Sequence, residues 1–373
     1  MRPRVFAVQP IPEAPLKVLQ EVADVEVFPN MRRQISLSET IDGARRSDYL
    51  LGLHGNFVPA DVITANPSLK GIAFLGGNTV KVDFDAALAL KIPVLSSHLE
   101  DAAAAYSRGV AVATADLTVA MLLGLAYRLL DADRYTRADA TFQEQTMALM
   151  GVGCASKTAG LIGLGQVGLH VARRLAGFDM HVLYTKRNRL APDQEARLGL
   201  EYVTLDELLQ RSDYVSVQVS YNATTHKLIG AREFGLMNPT AYFINTARGR
   251  IVDEDALIQA LQSRKIAGAG LEVFYNEPPT VWDPVVPSAL REMDNVILAP
   301  HNGGATYDSR SFQIMPLATG IKDLIEGRRP RGLLNPEVFG DPVLHPEFYN
   351  RGPIEAGDQG PEHFLVTAKQ PSR

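Results

Sequence analysis

The sequence predicts an α/β fold made of two doubly wound domains, each with a parallel sheet, and a cleft between them. Two observations carry this prediction. Short apolar runs alternate with helix-length segments, and the alternation occurs in two separate series along the 373 residues. Strands that alternate with helices are typical of parallel sheets with crossover connections. The length agrees, since one domain per roughly 150 residues suggests two domains and a remainder.

The first series lies within the first hundred residues, and its strands are rich in Val, Leu, Ile and Phe. The predicted strands are Arg4 to Gln9, Val25 to Phe28, Tyr49 to Leu53, Gly71 to Leu75 and Ile92 to Leu95. The Ala-rich segment Phe84 to Leu90 is predicted to be a helix.

The second series starts near Thr158 and has helical patterns between its strands. The predicted strands are Ala159 to Ile162, His181 to Tyr184, Tyr214 to Val219, Ala241 to Asn245, Ala267 to Leu271 and Val296 to Ala299. The helical patterns are Val167 to Leu175, Leu205 to Gln210 and Glu254 to Ser263. This is the layout of a doubly wound sheet.

The order of these segments also predicts how the chain divides. A helical run, Phe312 to Glu326, follows the second series, and we expect the chain to return there to its first domain. The predicted domains are therefore nested, with 1–127 plus 305–340 as a discontinuous first domain and 128–304 as the second domain. Pro and Gly accumulate in 341–373, a tail to which we assign no chemistry.

Composition narrows the class of protein. The chain is 46% apolar and 21% charged, which suits a globular protein with a sizeable core. Its net charge of −5 offers no basic excess for a polyphosphate backbone, so nucleic acid is not an expected partner. The single cysteine, Cys154, forms no internal disulfide and is interpreted as a small buried hydrophobe.

Two apolar segments could mimic targeting or membrane segments. Only Val5 to Val8 follows the basic start of the chain, which is too short for a signal peptide. Gly109 to Tyr127 contains Asp116, and its uninterrupted apolar run, Val119 to Tyr127, is too short to cross a bilayer. We therefore expect a buried helix there and a cytoplasmic protein without membrane contact.

A glycine-rich loop follows the first strand of the second series. Gly163, Gly165 and Gly168 have the spacing G-x-G-x-x-G, with Gln166 and Val167 between the last two. Between a strand and an amphipathic helix, this spacing is typical of dinucleotide binding. The first glycine allows a tight turn, the second lets the backbone approach a pyrophosphate, and the third lets helix and strand pack closely. A site for S-adenosylmethionine and a turn without ligand remain alternatives.

The end of the next strand bears on the choice between NAD and NADP. The run Lys186-Arg187-Asn188-Arg189 holds three cations and lacks the carboxylate that would bind a ribose 2′-hydroxyl. A carboxylate would repel a 2′-phosphate, whereas Lys and Arg attract it. We predict a preference for NADP(H), bound by Lys186 and Arg187. NAD use and a solvated basic turn remain open.

Three later segments carry a family resemblance. They are 243–254 (FINTARGRIVDE), 267–279 (AGAGLEVFYNEPP) and 295–306 (NVILAPHNGGAT). With the glycine loop, they closely resemble the D-isomer-specific 2-hydroxyacid dehydrogenases, which include glyoxylate/hydroxypyruvate reductases, D-lactate dehydrogenases and phosphoglycerate dehydrogenases. The resemblance is strong over Thr158 to Thr306, looser over the first domain and absent from the tail. It implies Rossmann-like or flavodoxin-like domains, with 1–127 plus 305–340 as the substrate-binding domain and 128–304 as the cofactor domain. It also implies a homodimer formed through the cofactor domain.

The resemblance places the family's catalytic arginine at Arg248, its glutamate at Glu277 and its histidine at His301. These residue types suit the reduction of a 2-keto acid. A guanidinium can clamp the carboxylate and polarise the carbonyl, and a histidine can protonate the alkoxide near neutral pH. A carboxylate beside that histidine favours the imidazolium and fixes its ring. Formate dehydrogenases carry glutamine in place of this glutamate, so formate is not the expected substrate.

Further positions follow from the same resemblance, which implies no metal site. The turn Gly76-Gly77-Asn78 and Arg248 would bind the substrate carboxylate, and His54 and Asn56 are candidate substrate contacts. The expected cofactor contacts, besides the three glycines, Lys186 and Arg187, are Gln166, Val167, Val219, Ser220, Thr225, Thr246, Ala247, Arg248, Glu272, His301 and Gly304.

The chain departs from the family's pattern at four places. Glu272 replaces the usual aspartate, Ser220 a common proline and Lys81 a common asparagine. The segment Leu95 to Ala113 is longer than its usual counterpart, and it is either a surface insertion or a source of added substrate contacts. Its candidate contact residues are His98, Glu100, Asp101, Tyr106 and Arg108.

The predicted reaction is the NAD(P)-dependent interconversion of a 2-keto acid and a D-2-hydroxy acid, with NADP preferred. Two other functions stay open. One is a cofactor-sensing binding protein, because the C-terminal-binding corepressors resemble this family and keep much of its triad. The other is oxidation of a small oxyanion such as phosphite on the same scaffold. The motifs do not name the acid.

Overall fold

The computed structural model describes residues 2–53, 56–75, 82–97, 107–139, 141–277 and 285–345. Over these residues the chain forms two compact units. The chain up to Val110 and the segment that begins at Ala305 build the first unit, and Ala111–Gly304 builds the second. The first unit is therefore discontinuous in sequence.

Strands and helices alternate along most of the chain. The strands are β1 (Arg4–Ala7), β2 (Asp24–Val27), β3 (Tyr49–Gly52), β4 (Gly71–Phe74), β5 (Val94–Ser96), β6 (Thr158–Ile162), β7 (His181–Thr185), β8 (Leu200–Tyr202), β9 (Tyr214–Val217), β10 (Tyr242–Asn245), β11 (Gly268–Leu271) and β12 (Val296–Leu298). The α-helices are α1 (Glu13–Val22), α2 (Leu37–Arg45), α3 (Ala60–Thr64), α4 (Phe84–Ala89), α5 (Val112–Ala126), α6 (Leu129–Ala138), α7 (Gln166–Ala176), α8 (Pro192–Leu198), α9 (Leu205–Arg211), α10 (Ala231–Leu236), α11 (Glu254–Gln262), α12 (Ser288–Glu292) and α13 (Tyr307–Ile325).

The first unit holds a parallel sheet whose strand order, over the described residues, is β2–β1–β3–β4–β5. This is the order of flavodoxin-like doubly wound sheets. All residues of β3 and β4 are buried, as expected for central strands that helices cover on both faces. Helix α13 contributes Ile314, Leu317 and Ile321 to this core and packs against α1 and β4. That packing returns the chain to its first unit.

The second unit holds a parallel sheet with the strand order β12–β11–β10–β9–β6–β7–β8 in the part of the chain that the structure describes. The order reverses between β6 and β9, so the carboxyl ends of these two strands border the crevice where doubly wound sheets bind ligands. Cys154 is buried in this unit's core. The predicted fold class, α/β with two doubly wound parallel sheets, is confirmed.

Helix α5 shifts the boundary between the units from the predicted position after residue 127 to Val110. The stretch Gly109–Ala126 is long and apolar enough, by length and composition, to cross a membrane, but 67% of it is buried. Its residues Ala115, Met121 and Leu122 join the core of the second unit, and α5 packs against β10, β11 and α7. A helix of this kind in a globular protein needs a sheet to cover it, and the second unit supplies that sheet.

Candidate active site

The glycine-rich loop lies at the carboxyl end of β6, where the strand order reverses. Gly163 has a φ of +99°, and a Cβ there would lie 2.5 Å from the Gln218 carbonyl oxygen. A Cβ at Gly168 would lie 2.9 Å from the Gly163 carbonyl oxygen. Side chains are therefore excluded at both positions, by backbone conformation and close packing at Gly163 and by close packing at Gly168.

Gly165 differs from the other two glycines because it faces open space. Among the described residues, no atom beyond its own chain neighbours lies within 4 Å of its Cβ position. Gly165 is the N-cap of α7, and no described side chain caps this helix start. The N–H groups there, with the helix dipole, suit an anion. The loop therefore fits the pyrophosphate of NAD(P), which Gln166 and Val167 would meet as the first residues of the helix.

The three cations of the basic turn after β7 differ in the contacts that they make. The Lys186 ammonium donates to the Leu164 carbonyl oxygen at 3.4 Å, so it lies over the glycine loop. Arg187 Nη2 approaches Thr224 Oγ1 at 3.5 Å, and the Arg187 side chain is otherwise exposed. Arg189 instead forms two hydrogen bonds with the Glu195 carboxylate, at 2.8 and 2.7 Å. The sequence shows three cations in this turn, but Glu195, which neutralises one of them, was not predicted to contact it.

The turn after β9 faces the same crevice. The Thr225 hydroxyl donates to the Ser220 carbonyl oxygen at 2.8 Å and accepts from the Asn222 N–H at 2.8 Å. Val219 lies against the glycine loop, because a Cβ at Gly163 would meet its Cγ1 at 2.6 Å. Val219, one of the predicted cofactor contacts, thus borders the glycine loop, and the Thr225 hydroxyl holds the turn that carries Ser220 in shape.

The end of β10 presents Arg248 through Asn245, which was not among the predicted site residues. Asn245 is 1% exposed; its Oδ1 accepts from the Ala247 N–H at 3.0 Å and its Nδ2 donates to the Arg248 carbonyl oxygen at 3.1 Å. Thr246 is fixed beside it by a 2.8 Å hydrogen bond to the Thr118 hydroxyl. These bonds hold the backbone, while the Arg248 side chain is exposed and its Nη1 donates to the Ala247 carbonyl oxygen at 2.6 Å.

His301 and Glu277 form a hydrogen-bonded pair. His301 Nδ1 lies 2.7 Å from Glu277 Oε2, with the glutamate side chain 12% exposed and the histidine side chain 49% exposed. The other carboxylate oxygen, Glu277 Oε1, accepts from the Phe274 N–H at 2.6 Å. Both oxygens of the carboxylate are therefore engaged, which fixes the orientation of the imidazole that it contacts.

Gly249 explains how the Arg248 turn and the Phe274–Glu277 segment come together. A Cβ at Gly249 would lie 2.0 Å from the Phe274 carbonyl carbon and oxygen. Only glycine allows this close approach of two backbone segments. The residue after Arg248 therefore packs directly against the start of the segment that carries Glu277.

Glu272 holds the turn that carries His301. The Glu272 side chain is buried, and its Oε1 accepts a hydrogen bond from the Gly303 N–H. The Glu272 carbonyl oxygen accepts from the His301 N–H at 2.9 Å, and His301 has a φ of +50°. Burial raises the pKa of the Glu272 carboxyl, against the lowering effect of the Gly303 hydrogen bond. Glu272, a predicted cofactor contact, thus holds the His301–Gly303 turn through its side chain and its carbonyl oxygen.

We expect Glu272→Gln to raise the melting temperature by a few degrees at pH 7 and to have little effect near pH 4. A buried acid whose pKa is higher in the folded state opposes folding as the pH rises from the ordinary carboxyl range through the folded pKa. Glutamine carries no charge and still offers an oxygen to the Gly303 N–H. Thermal unfolding from pH 4 to 8 measures the difference. The matched control is Glu201→Gln at an exposed glutamate, and an effect independent of pH would contradict the prediction.

Several predicted substrate contacts lie outside the described residues, namely His54, Gly76, Gly77, Asn78, Lys81, His98, Glu100, Asp101 and Tyr106, together with the side chain of Arg108. Asn56 is described, and its side chain contacts the backbone at the end of β3. It is buried, and its Oδ1 accepts from the Leu53 N–H at 3.1 Å and from Gln9 Nε2 at 3.0 Å. Within the described residues, no group of three or more His, Cys, Asp or Glu side chains could hold a metal ion.

Comparison with known proteins agrees with this geometry. Residues 119–303 match the family model of the D-isomer specific 2-hydroxyacid dehydrogenase NAD binding domain. A protein of Staphylococcus aureus (strain bovine RF122 / ET3-1), named as a 2-hydroxyacid dehydrogenase, is 35% identical over 89% of this chain and 99% of its own length.

Solved structures give the same result. The structure named as a D-isomer specific 2-hydroxyacid dehydrogenase from Polaromonas sp. JS6 66 has a TM-score of 0.74 at 28% identity, covering 89% of this chain and 99% of that one. A glyoxylate reductase from Paecilomyes thermophila has a TM-score of 0.62 at 27% identity, covering 89% and 98%. The chain belongs to the D-isomer specific 2-hydroxyacid dehydrogenases, a family of NAD(P)-dependent oxidoreductases.

Proposed function

We propose that this dehydrogenase uses NADP(H) to interconvert a 2-keto acid and a D-2-hydroxy acid, with His301 as acid/base, Glu277 as its partner and Arg248 as substrate anchor. The observation that carries the proposal is the 2.7 Å contact between His301 Nδ1 and Glu277 Oε2. Acid/base chemistry on a substrate oxygen needs an oriented imidazole, and this contact orients one.

The proton transfer follows from how the pair is held. Glu277 Oε2 takes the hydrogen bond of Nδ1, so Nε2 is the nitrogen left to exchange a proton with the substrate oxygen. When His301 is protonated, the adjacent carboxylate stabilises the imidazolium. In keto-acid reduction Nε2 gives its proton to the developing alkoxide, and in hydroxy-acid oxidation it takes the hydroxyl proton. The bound nicotinamide cofactor supplies or accepts the hydride.

Arg248 would bind the substrate carboxylate. Its guanidinium is exposed and bonded only to the adjacent Ala247 carbonyl oxygen, among the described contacts. The planar fork of N–H donors matches a carboxylate in a bidentate geometry and can also polarise the neighbouring carbonyl. Asn245 holds the Arg248 carbonyl oxygen, so the backbone that carries the guanidinium stays fixed while the side chain reorients.

The preference for NADP(H) is supported by the basic turn. Lys186 lies over the glycine loop and Arg187 lies beside the turn after β9, so both border the crevice at the strand-order reversal. No carboxylate occupies the run 185–190 at the end of β7, where a ribose 2′-hydroxyl would otherwise be bound. A 2′-phosphate would therefore meet positive charge there.

A panel of 2-keto acids assayed with NADPH and with NADH tests the function. We expect NADPH oxidation with a small 2-keto acid such as glyoxylate or hydroxypyruvate, at a higher kcat/KM than with NADH. Equal use of the two cofactors would overturn the NADP preference. Absence of turnover across the panel would favour the cofactor-sensing binding protein, and NADP⁺ reduction by phosphite would favour oxyanion oxidation.

We also propose that the protein is a cytoplasmic homodimer, assembled through the second unit. Helix α6 has no buried residue, yet it and the segment that follows expose large apolar side chains. These are Leu129, Leu130, Tyr135, Phe142, Met147 and Met150. Exposed large apolar side chains concentrated in one segment are typical of an interface between subunits.

The double variant Leu129→Glu/Met147→Glu is expected to convert the dimer into a monomer at micromolar concentration. The two side chains are 60% and 80% exposed, so charges there are tolerated by an isolated subunit but not in an apolar interface. Sedimentation velocity measures the change. Val285→Glu, at an apolar side chain that is 63% exposed outside this segment, is the matched control. A double variant that stays dimeric would exclude this surface.

A further inference from the structure

A buried carboxylate stands behind the basic turn. Glu195 lies on α8 and is 7% exposed, although it carries a charge. Its Oε1 accepts from the Tyr184 hydroxyl at 2.5 Å and from Arg189 Nε at 2.8 Å, and its Oε2 accepts from Arg189 Nη2 at 2.7 Å. A buried charge is retained only where partners satisfy it, and here the partners lie at the two ends of the basic turn.

The same contacts close the turn. The Tyr184 hydroxyl, at the end of β7, also accepts from the Leu190 N–H at 3.0 Å. The Arg189 guanidinium lies over the Tyr202 ring, with 5.1 Å between its Cζ and the ring centroid. Tyr184 and Tyr202 in turn meet edge to face, with centroids 5.4 Å apart. We call Tyr184, Arg189 and Glu195 the turn clasp.

The turn clasp gives Arg189 a different role from the other two cations of the basic turn. Arg189 is tied to a carboxylate and an aromatic ring. Within the described part of the chain, Lys186 and Arg187 make only long contacts of 3.4 and 3.5 Å, which a ligand can replace. The Arg189 hydrogen bonds, and after them that of Tyr184, lower the pKa of Glu195 to about 2, so the carboxylate is ionised at neutral pH. Without Arg189, this negative charge would be uncompensated beside the turn that carries Lys186 and Arg187.

We infer that the turn clasp is a positioning device for NADP(H) recognition: Arg189 neutralises Glu195 and holds the turn, while Lys186 and Arg187 contact the 2′-phosphate. This inference rests on the proposed preference for NADP(H). Arg189 then contributes to affinity without being a phosphate ligand. Removing Arg189 exposes the phosphate to the Glu195 charge, and removing that charge as well restores binding. A direct phosphate ligand could not be rescued in this way.

The experiment measures binding of adenosine 2′,5′-bisphosphate and adenosine 5′-monophosphate to the full chain by titration calorimetry. The readout is the dissociation constant of the monophosphate divided by that of the bisphosphate. This ratio isolates the contribution of the 2′-phosphate. Arg189→Met is expected to lower the preference for the bisphosphate about tenfold, because like charges brought together oppose binding. The double variant Arg189→Met/Glu195→Gln is expected to recover to within about threefold of the wild type, since the uncompensated charge is gone.

The matched control is Arg211→Met, which removes an arginine that also forms two hydrogen bonds with a glutamate, the exposed Glu201. It should leave the ratio unchanged. Tyr184→Phe, which cuts the tie between Glu195 and the Leu190 N–H, is expected to lower the ratio about threefold and serves if Arg189→Met does not fold.

The outcomes distinguish a failure of the inference about the turn clasp from a failure of the proposed NADP preference. A double variant as weak as Arg189→Met would overturn the inference and make Arg189 a phosphate ligand. An unchanged ratio in Arg189→Met, or in Tyr184→Phe, would also overturn it. A wild-type protein that binds the two nucleotides equally would instead contradict the proposed NADP preference itself.

Discussion

His301→Ala is expected to lower kcat for keto-acid reduction by about 10²- to 10⁴-fold, the usual contribution of a positioned general acid. The imidazole is held by Glu277 at 2.7 Å, and Glu277 is held in turn by the Phe274 N–H at 2.6 Å. Alanine leaves the alkoxide without this proton donor. Steady-state kinetics with NADPH and a saturating keto acid measure the loss, which should fall on kcat more than on KM.

Two further variants show whether the loss of kcat comes from the His301–Glu277 pair. Glu277→Gln keeps a group that can contact Nδ1 but removes the charge that stabilises the imidazolium, so it should lose less than His301→Ala. His226→Ala is the matched control, because His226 is also hydrogen-bonded in the second unit, with its Nδ1 3.2 Å from the Tyr221 hydroxyl. Full turnover in His301→Ala would exclude His301 as the acid/base.

The parts of the site that sequence predicts best are those where one residue type is required locally. Gly163 is such a case, because its φ of +99° and the 2.5 Å approach of the Gln218 carbonyl to a Cβ exclude any side chain. The spacing of the glycine motif encodes this requirement directly. The carboxyl-end position of the loop also followed from the strand–helix alternation, since that alternation sets the doubly wound order.

Contacts between separate segments could not be predicted from the sequence, because no local spacing encodes them. Glu195 lies six residues after Arg189, on a helix that begins at Pro192, and its charge resembles that of any exposed helical glutamate. Only the fold brings the Tyr184 hydroxyl and the Arg189 guanidinium onto it. Asn245 was missed because a buried asparagine at a strand end gives no spacing signal. Strand β8 was missed because its three residues, Leu-Glu-Tyr, form no run of apolar or β-branched side chains.

The boundary between the two units could not be predicted from the sequence for a different reason. Helix α5 is apolar apart from Asp116 and two threonines, so its pattern indicates burial without indicating which sheet covers it. A Cβ at Gly270 of β11 would lie 3.0 Å from Met121 Cβ, which shows how closely the helix packs on the second sheet. Periodicity predicts that an apolar helix is buried, whereas its partner depends on packing between distant segments.

Lys186→Ala/Arg187→Ala is expected to raise the dissociation constant of NADPH by about 10²-fold while changing that of NADH by less than about threefold, since each charge-assisted hydrogen bond to phosphate contributes about 1.5–3 kcal/mol. Both cofactors share the pyrophosphate that the glycine loop would bind, so only the 2′-phosphate distinguishes them. Quenching of protein fluorescence or calorimetry measures both constants. The loss should also shrink at high salt, because the contacts are exposed.

The matched control is Arg264→Ala/Lys265→Ala, which removes an exposed basic pair of the same unit, just before β11 and therefore at the amino ends of the strands. It changes the net charge by the same amount but leaves the carboxyl-end crevice intact, so NADPH binding should not change. Equal weakening by both double variants would mean that NADPH responds to the overall charge of the unit. Equal losses of NADPH and NADH in Lys186→Ala/Arg187→Ala would show that the basic turn holds the shared part of the cofactor, and the 2′-phosphate would then have no dedicated site in this turn.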